Sequence, residues 1–347
     1  MCELFGLSAN RDVPISFTWR GFIKRGKVHR DGWGVAWFFK DRLGLVKEPR
    51  PAPNSPIAKL LVNGVEGHIV ISHVRWASRG DVRYVNTHPF VKVLKDREWV
   101  FAHNGDVSGI MYEPKFRLRH YHPTGSTDSE YAFCYIMDNL SKLGKTDKLI
   151  SVSKVLWRLA KEIGRYGKLN FLLSDGTYLF AYMNVEGTLH YLLRHPPHVG
   201  YAELVDEDFK VELSVIKAPD ELAALIATEP LTTEKWVPLE PETLYVFSDG
   251  DLLLKVSSSG DIKVMLSDID IKVLECVRGS IHRLSLKSIA DELGIDLSEV
   301  YESVEKLVLR RLLKQDSRDK VPLRHPKATV YTVKSKRGFI DELIGRN

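Results

Sequence analysis

The sequence predicts an α+β fold: antiparallel sheets with helices outside, followed by a small winged helix-turn-helix domain. Three observations predict it. Between residues 68 and 256, hairpins far outnumber strand–helix–strand crossovers, which favours antiparallel over doubly wound parallel sheets. From Ile269 to Leu313 the pattern turns helical, in the order helix, helix, turn, helix, and then gives a basic loop and a strand. The run Ser257-Ser258-Ser259-Gly260 supplies a turn or linker, which divides the chain into residues 1–260 and 266–347.

Taken in order, β-branched and aromatic runs at His68–Val74 and Glu98–Ala102 read as strands. Ser126–Leu143 puts Tyr131, Phe133, Cys134, Ile136, Met137 and Leu140 at helical spacing, and a second helix fits Leu149–Ile163. Strands at Leu169–Leu173, Tyr178–Met183 and Leu189–Leu193 are separated by turns at Ser174-Asp175-Gly176 and near Glu186-Gly187. Glu212–Ile216, Leu222–Thr228, Thr243–Phe247 and Leu252–Val256 read as further strands. In the second domain the helices are Ile269–Val277, Leu286–Leu293 and Leu297–Leu313. Ser285 and Asp296 are the expected N-caps, Gly294 the expected stop, and Thr329–Val333 the strand.

At 347 residues the chain has room for about two domains of roughly 150 residues each. It is 44% hydrophobic and 27% charged, enough for a sizeable core. No apolar run approaches the ~18 residues of a membrane span, and no basic-then-apolar leader opens the sequence. Cys2, Cys134 and Cys276 include no CxxC pair, which speaks against a disulfide framework or a zinc site. The expected location is therefore cytoplasmic, with no membrane partner, and the triplet Asn139-Leu140-Ser141 would not meet glycosylation there. Net charge is +5, yet residues 1–265 carry 34 basic and 32 acidic side chains. Residues 306–337 hold eleven Lys or Arg against Asp316 and Asp319, so one short stretch carries most of the positive field.

The chemistry starts at MCELFGLSAN. Cys2 is small enough for a methionine aminopeptidase to trim Met1, which would leave a thiol and a free α-amine on one residue. In amide hydrolysis the thiolate attacks the carbonyl carbon. The amine, with an ordinary pKa near ~7.7–8.0, takes the thiol proton directly or through a water. The tetrahedral intermediate carries an oxyanion. Asn104 and Gly105, in VFAHNGDVS, offer it a side-chain amide and a main-chain N–H.

Five motifs lie in order: Cys2 at the start, His73-Val74-Arg75-Trp76-Ala77-Ser78, Asn86–Phe90 (NTHPF), His103-Asn104-Gly105 and Thr127-Asp128-Ser129-Glu130. Together they resemble the glutaminase domain of the class II glutamine amidotransferases, which are N-terminal nucleophile (Ntn) hydrolases. The resemblance covers roughly residues 2–250. It implies a four-layer αββα sandwich and hydrolysis of the glutamine side-chain amide, through a Cys2 thioester, to glutamate and ammonia. It implies no cofactor. Cys2, Asn104 and Gly105 would be catalytic, with Arg75, Trp76, Ser78, His88 and Asp128 around the substrate. Arg75 would take the α-carboxylate and Asp128 the α-ammonium, which suits a zwitterion that needs one forked cation and one anion. Ser78 stands where the family usually has threonine, and Arg79 where its synthases often have histidine. His29–Gly34 (HRDGWG) is closer to the short, stand-alone members, some of which act on γ-glutamyl compounds other than glutamine.

Plainer readings stand beside these. An Asn-Gly pair is also a hairpin turn, Asp128 is also a helix cap, and a lone arginine is also a surface ion pair. His73, His88 and His103 have no metal-ligand spacing, so structural hydrogen bonding is expected of them and no metal site. Trp33, Trp37 and Trp76 read as core or pocket wall, and Cys134 and Cys276 as buried small hydrophobes. Gly144-Lys145-Thr146 and Gly32-x-Gly34 are fragments of nucleotide motifs that lack their other glycines.

The second domain is too small for an ammonia-consuming active site, so ammonia passes to a partner synthase or hydrolysis is the output. Lys314, Arg318, Lys320, Arg324 and Lys327 would sit on the wing, ready for phosphates. Against that, Glu299, Glu302 and Glu305 lie on the presumed recognition helix, where a duplex would repel them. The sequence leaves nucleic-acid binding through residues 306–337, protein docking and homodimerisation open. The alternative function is a glutamine-sensing winged-helix regulator that binds nucleic acid.

Overall fold

In the computed structural model the described residues are 2–77, 80–143, 149–280 and 283–345. They divide by contacts into two compact units, residues 1–144 with 153–263, and residues 145–152 with 264–347.

The strands of the larger unit are β1 (Glu3–Pro14), β2 (Trp33–Phe39), β3 (Arg42–Glu48), β4 (Glu66–Val74), β5 (Phe90–Leu94) and β6 (Arg97–Asp106). They continue with β7 (Lys168–Ser174), β8 (Leu179–Met183), β9 (His190–Arg194), β10 (Tyr201–Glu203), β11 (Lys210–Glu212), β12 (Ala223–Ala227), β13 (Val237–Pro238), β14 (Thr243–Ser248), β15 (Asp251–Val256) and β16 (Ile262–Val264). The helices are α1 (Ser16–Lys24), α2 (Pro56–Leu61), α3 (Asp128–Leu140), α4 (Leu149–Gly164) and α5 (Leu213–Ile216). One seven-stranded sheet has the order β13-β9-β12-β1-β4-β2-β3, and a second the order β16-β15-β14-β8-β7-β6-β5. Strands β10 and β11 pair separately. The registers around the central strands are antiparallel, as the hairpin count predicts.

Side-chain alternation decides which residues face which layer. On β1, Phe5, Leu7 and Ala9 join Trp19, Phe22 and Ile23 of α1 in one apolar core. The even residues point the other way: a Cβ on Gly6 would sit 2.9 Å from Leu172 of β7. On β6 the odd residues face α3, since the Phe101 ring stacks on Phe133 at 5.1 Å and His103 Nδ1 lies 2.8 Å from Ser129 Oγ. The two sheets therefore face each other through their even β1 and β7 positions, with α1 outside one and α3 outside the other.

Several expectations need correction. Glu212–Ile216 is not one strand: β11 ends at Glu212 and α5 follows. The expected helix Leu297–Leu313 stops at Leu309, and Leu313 begins a strand. Asp296 occupies the N-cap position without a side-chain cap bond, whereas Ser285 does accept from the Ser288 N–H at 3.1 Å. Gly294 ends its helix in the left-handed region at φ 66°. The elements β1 to β3, α1 and α2 carry no sequence assignment above, because their apolar residues run on without clear alternation.

The smaller unit contains α6 (Asp268–Gly279), β17 (Leu284–Ser285), α7 (Leu286–Leu293), α8 (Leu297–Leu309), β18 (Leu313–Gln315), β19 (Thr329–Thr332) and α9 (Arg337–Leu343). Its three strands have the order β17-β19-β18. Much of the positive charge in residues 306–337 is bonded within the unit. Arg318 pairs with Asp316 at 2.9 Å, Arg324 with Glu305 at 2.5 Å, and Lys306 with Asp270. Arg310 donates to the Met265 carbonyl at 2.6 Å.

Asp270 is the electrostatic centre of this unit. It closes a capping box with Ser267, accepts from Ser303 Oγ at 2.9 Å and pairs with Lys306. Burial alone would raise its pKa, but these partners hold it below the ordinary carboxylate value. A depressed carboxylate stabilises above its unfolded pKa, and that contribution fades as pH falls through the folded value. Asp270→Asn should therefore lower the local stability of α6 and α8 at neutral pH by about 2 kcal/mol. Hydrogen exchange of amides 268–309 in the full chain measures it, and the difference from wild type should shrink in acid.

Candidate active site

The site is built by register. Glu3 pairs with Val74 and Leu4 with His73, so the next pair outward sets Cys2 against Arg75. The Cys2 thiol donates to the Trp76 carbonyl and its sulfur accepts from the Trp76 N–H, both at 3.2 Å. Burial pushes the thiol pKa up, so the thiol stays protonated at neutral pH until a base acts on it.

Glu3, the next residue, points to the opposite face and anchors the strand end. Its carboxylate pairs with Arg25 at 2.5 Å and lies 3.2 Å from His29 Nε2. Arg25 in turn bonds Asp206 at 2.9 Å and the Pro230 carbonyl at 2.8 Å. Burial opposes its charge, but Arg25 and His29 together hold the Glu3 carboxyl below its usual range.

Arg75 is buried, and its guanidinium donates to the carbonyls of Asp81 and Gly80 at 3.1 and 3.0 Å. Burial draws it below the ordinary guanidinium value, which is high enough to leave it a cation. The segment His29–Gly34 supports the same loop. Asp31 accepts the Ala77 N–H at 2.7 Å and donates its own N–H to the Arg75 carbonyl at 3.0 Å. A Cβ on Gly34 would come within 2.2 Å of the His88 carbonyl, so that position takes only glycine. Trp76 is half exposed, with the His29 ring edge-on at 6.4 Å. Ser78 lies outside the described residues.

On the facing sheet, alternation sends Asn104 and its register partner Asn170 away from α3 and toward the other sheet. Both side chains are buried, and the Nδ2 atoms of both lack a hydrogen-bond partner among the described residues. A buried amide donor without an acceptor is rare and suits a site that supplies the acceptor only with substrate. A Cβ on Gly105 would lie 1.8 Å from the Lys168 carbonyl, which only glycine tolerates. Lys168 is lowered by burial and raised by Cys2, so the end of β7 lies within electrostatic reach of the sulfur.

Asp128 is the first residue of α3, after the N-cap Thr127. Its Oδ2 accepts the Val107 N–H at 2.7 Å, which fixes the carboxylate at the end of β6, just past His103-Asn104-Gly105. Asp128 is thus a buried carboxylate with a structural bond of its own. Glu130, to which the sequence reading assigned no part, pairs with Lys92 at 3.0 Å and accepts the N–H groups of Thr124 and Gly125 at 2.9 and 2.8 Å. Asn86 donates to the Asp81 carbonyl at 3.1 Å and accepts the Ser126 N–H at 2.8 Å. It thereby ties the loop under Arg75 to the start of α3.

His88 is not an exposed ligand group. It is buried between His73, ring centroids 4.2 Å apart, and Phe90, at 4.5 Å. Burial pushes both imidazoles well below the ordinary value, so they are neutral. His103 is lowered by burial as well and bonds Ser129 and the Lys168 carbonyl. No cluster of metal-ligating side chains occurs among the described residues. Cys134 and Cys276 are buried thiols pushed up to about 12 by burial, far from nucleophile range. No helix among the described residues is long and apolar enough to cross a membrane.

Residues 1–268 match the model of the family described as glutamine amidotransferases class-II. The chain is 37% identical to an uncharacterized protein of Methanocaldococcus jannaschii, over 99% of this chain and 96% of that one. It is also 37% identical to YafJ of Escherichia coli, whose name assigns it provisionally to the glutamine amidotransferases, over 72% of this chain and 99% of that one. A crystal structure of a predicted glutamine amidotransferase from Pseudomonas aeruginosa superposes with a TM-score of 0.55 at 30% identity, covering 73% of this chain and 99% of that one. A cysteine beside a buried arginine, an unpartnered asparagine amide opposite and a family match over the first 268 residues agree: the chain belongs to the class-II glutamine amidotransferases.

Proposed function

We propose that the first unit hydrolyses the side-chain amide of glutamine, or of a related γ-glutamyl compound, through Cys2 as an N-terminal nucleophile. The observation that carries the reading is the Cys2 thiol bonded to the main chain of Trp76, next to the buried Arg75 cation. Removal of Met1 frees the Cys2 amine. The amine accepts the thiol proton and the sulfur attacks the amide carbon. Asn104 Nδ2 and the Gly105 N–H donate to the resulting oxyanion. Collapse expels ammonia with the proton returned by the amine, and leaves a thioester. Water, deprotonated by the same amine, then attacks the thioester to give glutamate and the free thiol.

Arg75 and Asp128 clamp the two charged ends of the free amino acid. Ammonia is released to solvent or to a separate acceptor enzyme. We read the smaller unit as a winged helix, on the order α6-β17-α7-α8-β18-β19. The internal pairing of Arg318, Arg324 and Lys306 favours protein docking over duplex binding.

Purified protein should convert glutamine to glutamate and ammonia, and the N-terminal mass should show methionine loss. Cys2→Ala should lower kcat by roughly a thousandfold or more. Asn104→Ala should lower kcat by about 10²–10³, with a far smaller change in KM. Full activity of the Cys2→Ala protein would overturn the mechanism.

The pH profile follows from the base. Activity should rise as the Cys2 amine loses its proton, with an ordinary midpoint near ~7.7–8.0. A chain with a blocked or methionine-extended start should be inactive at every pH. Arg75→Lys should raise KM for glutamine while sparing thioester hydrolysis, because an ammonium cannot reproduce the fork.

A further inference from the structure

Helix α3 runs from Asp128 to a second polar cluster at its far end. Asp138 lies ten residues along, about 15 Å from Asp128, so the two ends serve separate places. There the loop carrying Lys115, Arg117 and Arg119 faces Tyr135, Asn139 and Lys142, and together they line a cavity of about 300 Å³.

Among the described residues, Asp138 is the one carboxylate that lines the cavity. Asp138 is buried and accepts the main-chain N–H groups of Arg119 at 2.7 Å, His120 at 2.8 Å and Tyr121 at 3.2 Å. Both its oxygens are engaged with the backbone, so the loop is pinned to α3 and Asp138 makes no bond to a guanidinium. The cations are placed by other contacts. Lys115 lies over the rings of Phe116 and Tyr166, at 4.9 and 5.0 Å, and 3.6 Å from Glu162. Lys142 bonds Asn139 Oδ1 at 2.9 Å. The guanidinium groups of Arg117 and Arg119 make no hydrogen bond or ion pair among the described residues. Arg158 and Glu162 of α4 add one further charge of each sign near Tyr135.

Two exposed forked donors without acceptors among the described residues, in a concave wall with an excess of positive charge, concentrate anions. We propose that this cavity binds a small polyanion, a phosphate-bearing metabolite, outside the amide-hydrolysing centre. Its volume matches a small molecule, whereas a membrane or a duplex would meet a flatter face. Neither cation belongs to the stretch 306–337 in which the sequence concentrates its charge.

The test is calorimetric titration of the full chain with inorganic pyrophosphate at moderate salt. One saturable site per chain is expected. Arg117→Gln with Arg119→Gln should weaken it at least about tenfold, with an unchanged unfolding temperature in the absence of ligand. Lys142→Gln, a second variant, should weaken it less. Cys2→Ala should bind as wild type does, so the result is independent of the proposed glutaminase reaction. Equal binding by the double variant overturns the proposal. So does variant-sensitive binding of a short DNA duplex or of phosphatidylserine vesicles without binding of pyrophosphate.

Discussion

The register between β1 and β4 is the constraint on which the site depends. Because Glu3 faces Val74, the chain's second residue and the arginine at 75 leave the sheet side by side. A slip by one residue would turn Cys2 toward α1 and Glu3 toward the facing sheet. The Glu3–Arg25–Asp206 chain of ion pairs opposes that slip, because it can form only on the α1 face. Breaking such a pair would leave a buried charge uncompensated, so the register is held electrostatically as well as by the ladder.

The second contribution comes from across the interface. The inner faces of both sheets are apolar at Gly6 and Leu172, and polar near the end where Cys2 and Lys168 lie. Unpartnered amides at Asn104 and Asn170 and two closely packed neutral imidazoles, His73 and His88, are a stability deficit. The large core of Phe5, Trp19, Phe22 and Trp33 offsets it. Polar groups left without partners in a well-packed domain are what a preorganised catalytic centre requires.

The loops are then tied to one another, not left to the sheets. Asn86 joins the carbonyl of Asp81 to Ser126, and Asp81 also accepts from Arg75. Glu130 gathers the turn before α3, and Asp128 fixes the turn after β6. Arg75 and Asp128 therefore sit on segments that are braced in common. The NTHPF and TDSE segments take part in this bracing, and all of their residues are buried.

Alone, the sequence determined the hairpin-rich α+β class and most of the helical pattern between Ile269 and Leu313, because periodicity and caps are local properties, while its short motifs, through a family resemblance, offered Cys2, Arg75, Asn104 and Asp128 as candidates. It carried no signal for Glu3, Arg25, Asp31 or Glu130 as supports, since charged residues read singly look like solvated surface. It also overstated the positive field near the C-terminus, for the pairing of Arg324 with Glu305 and Lys306 with Asp270 is invisible without a fold. Only the tertiary structure decided which face of each strand meets the other sheet. Parity along a strand is fixed locally, but its orientation is set by distant packing. That choice turns Cys2 and Asn104, from two different sheets, into the same interface.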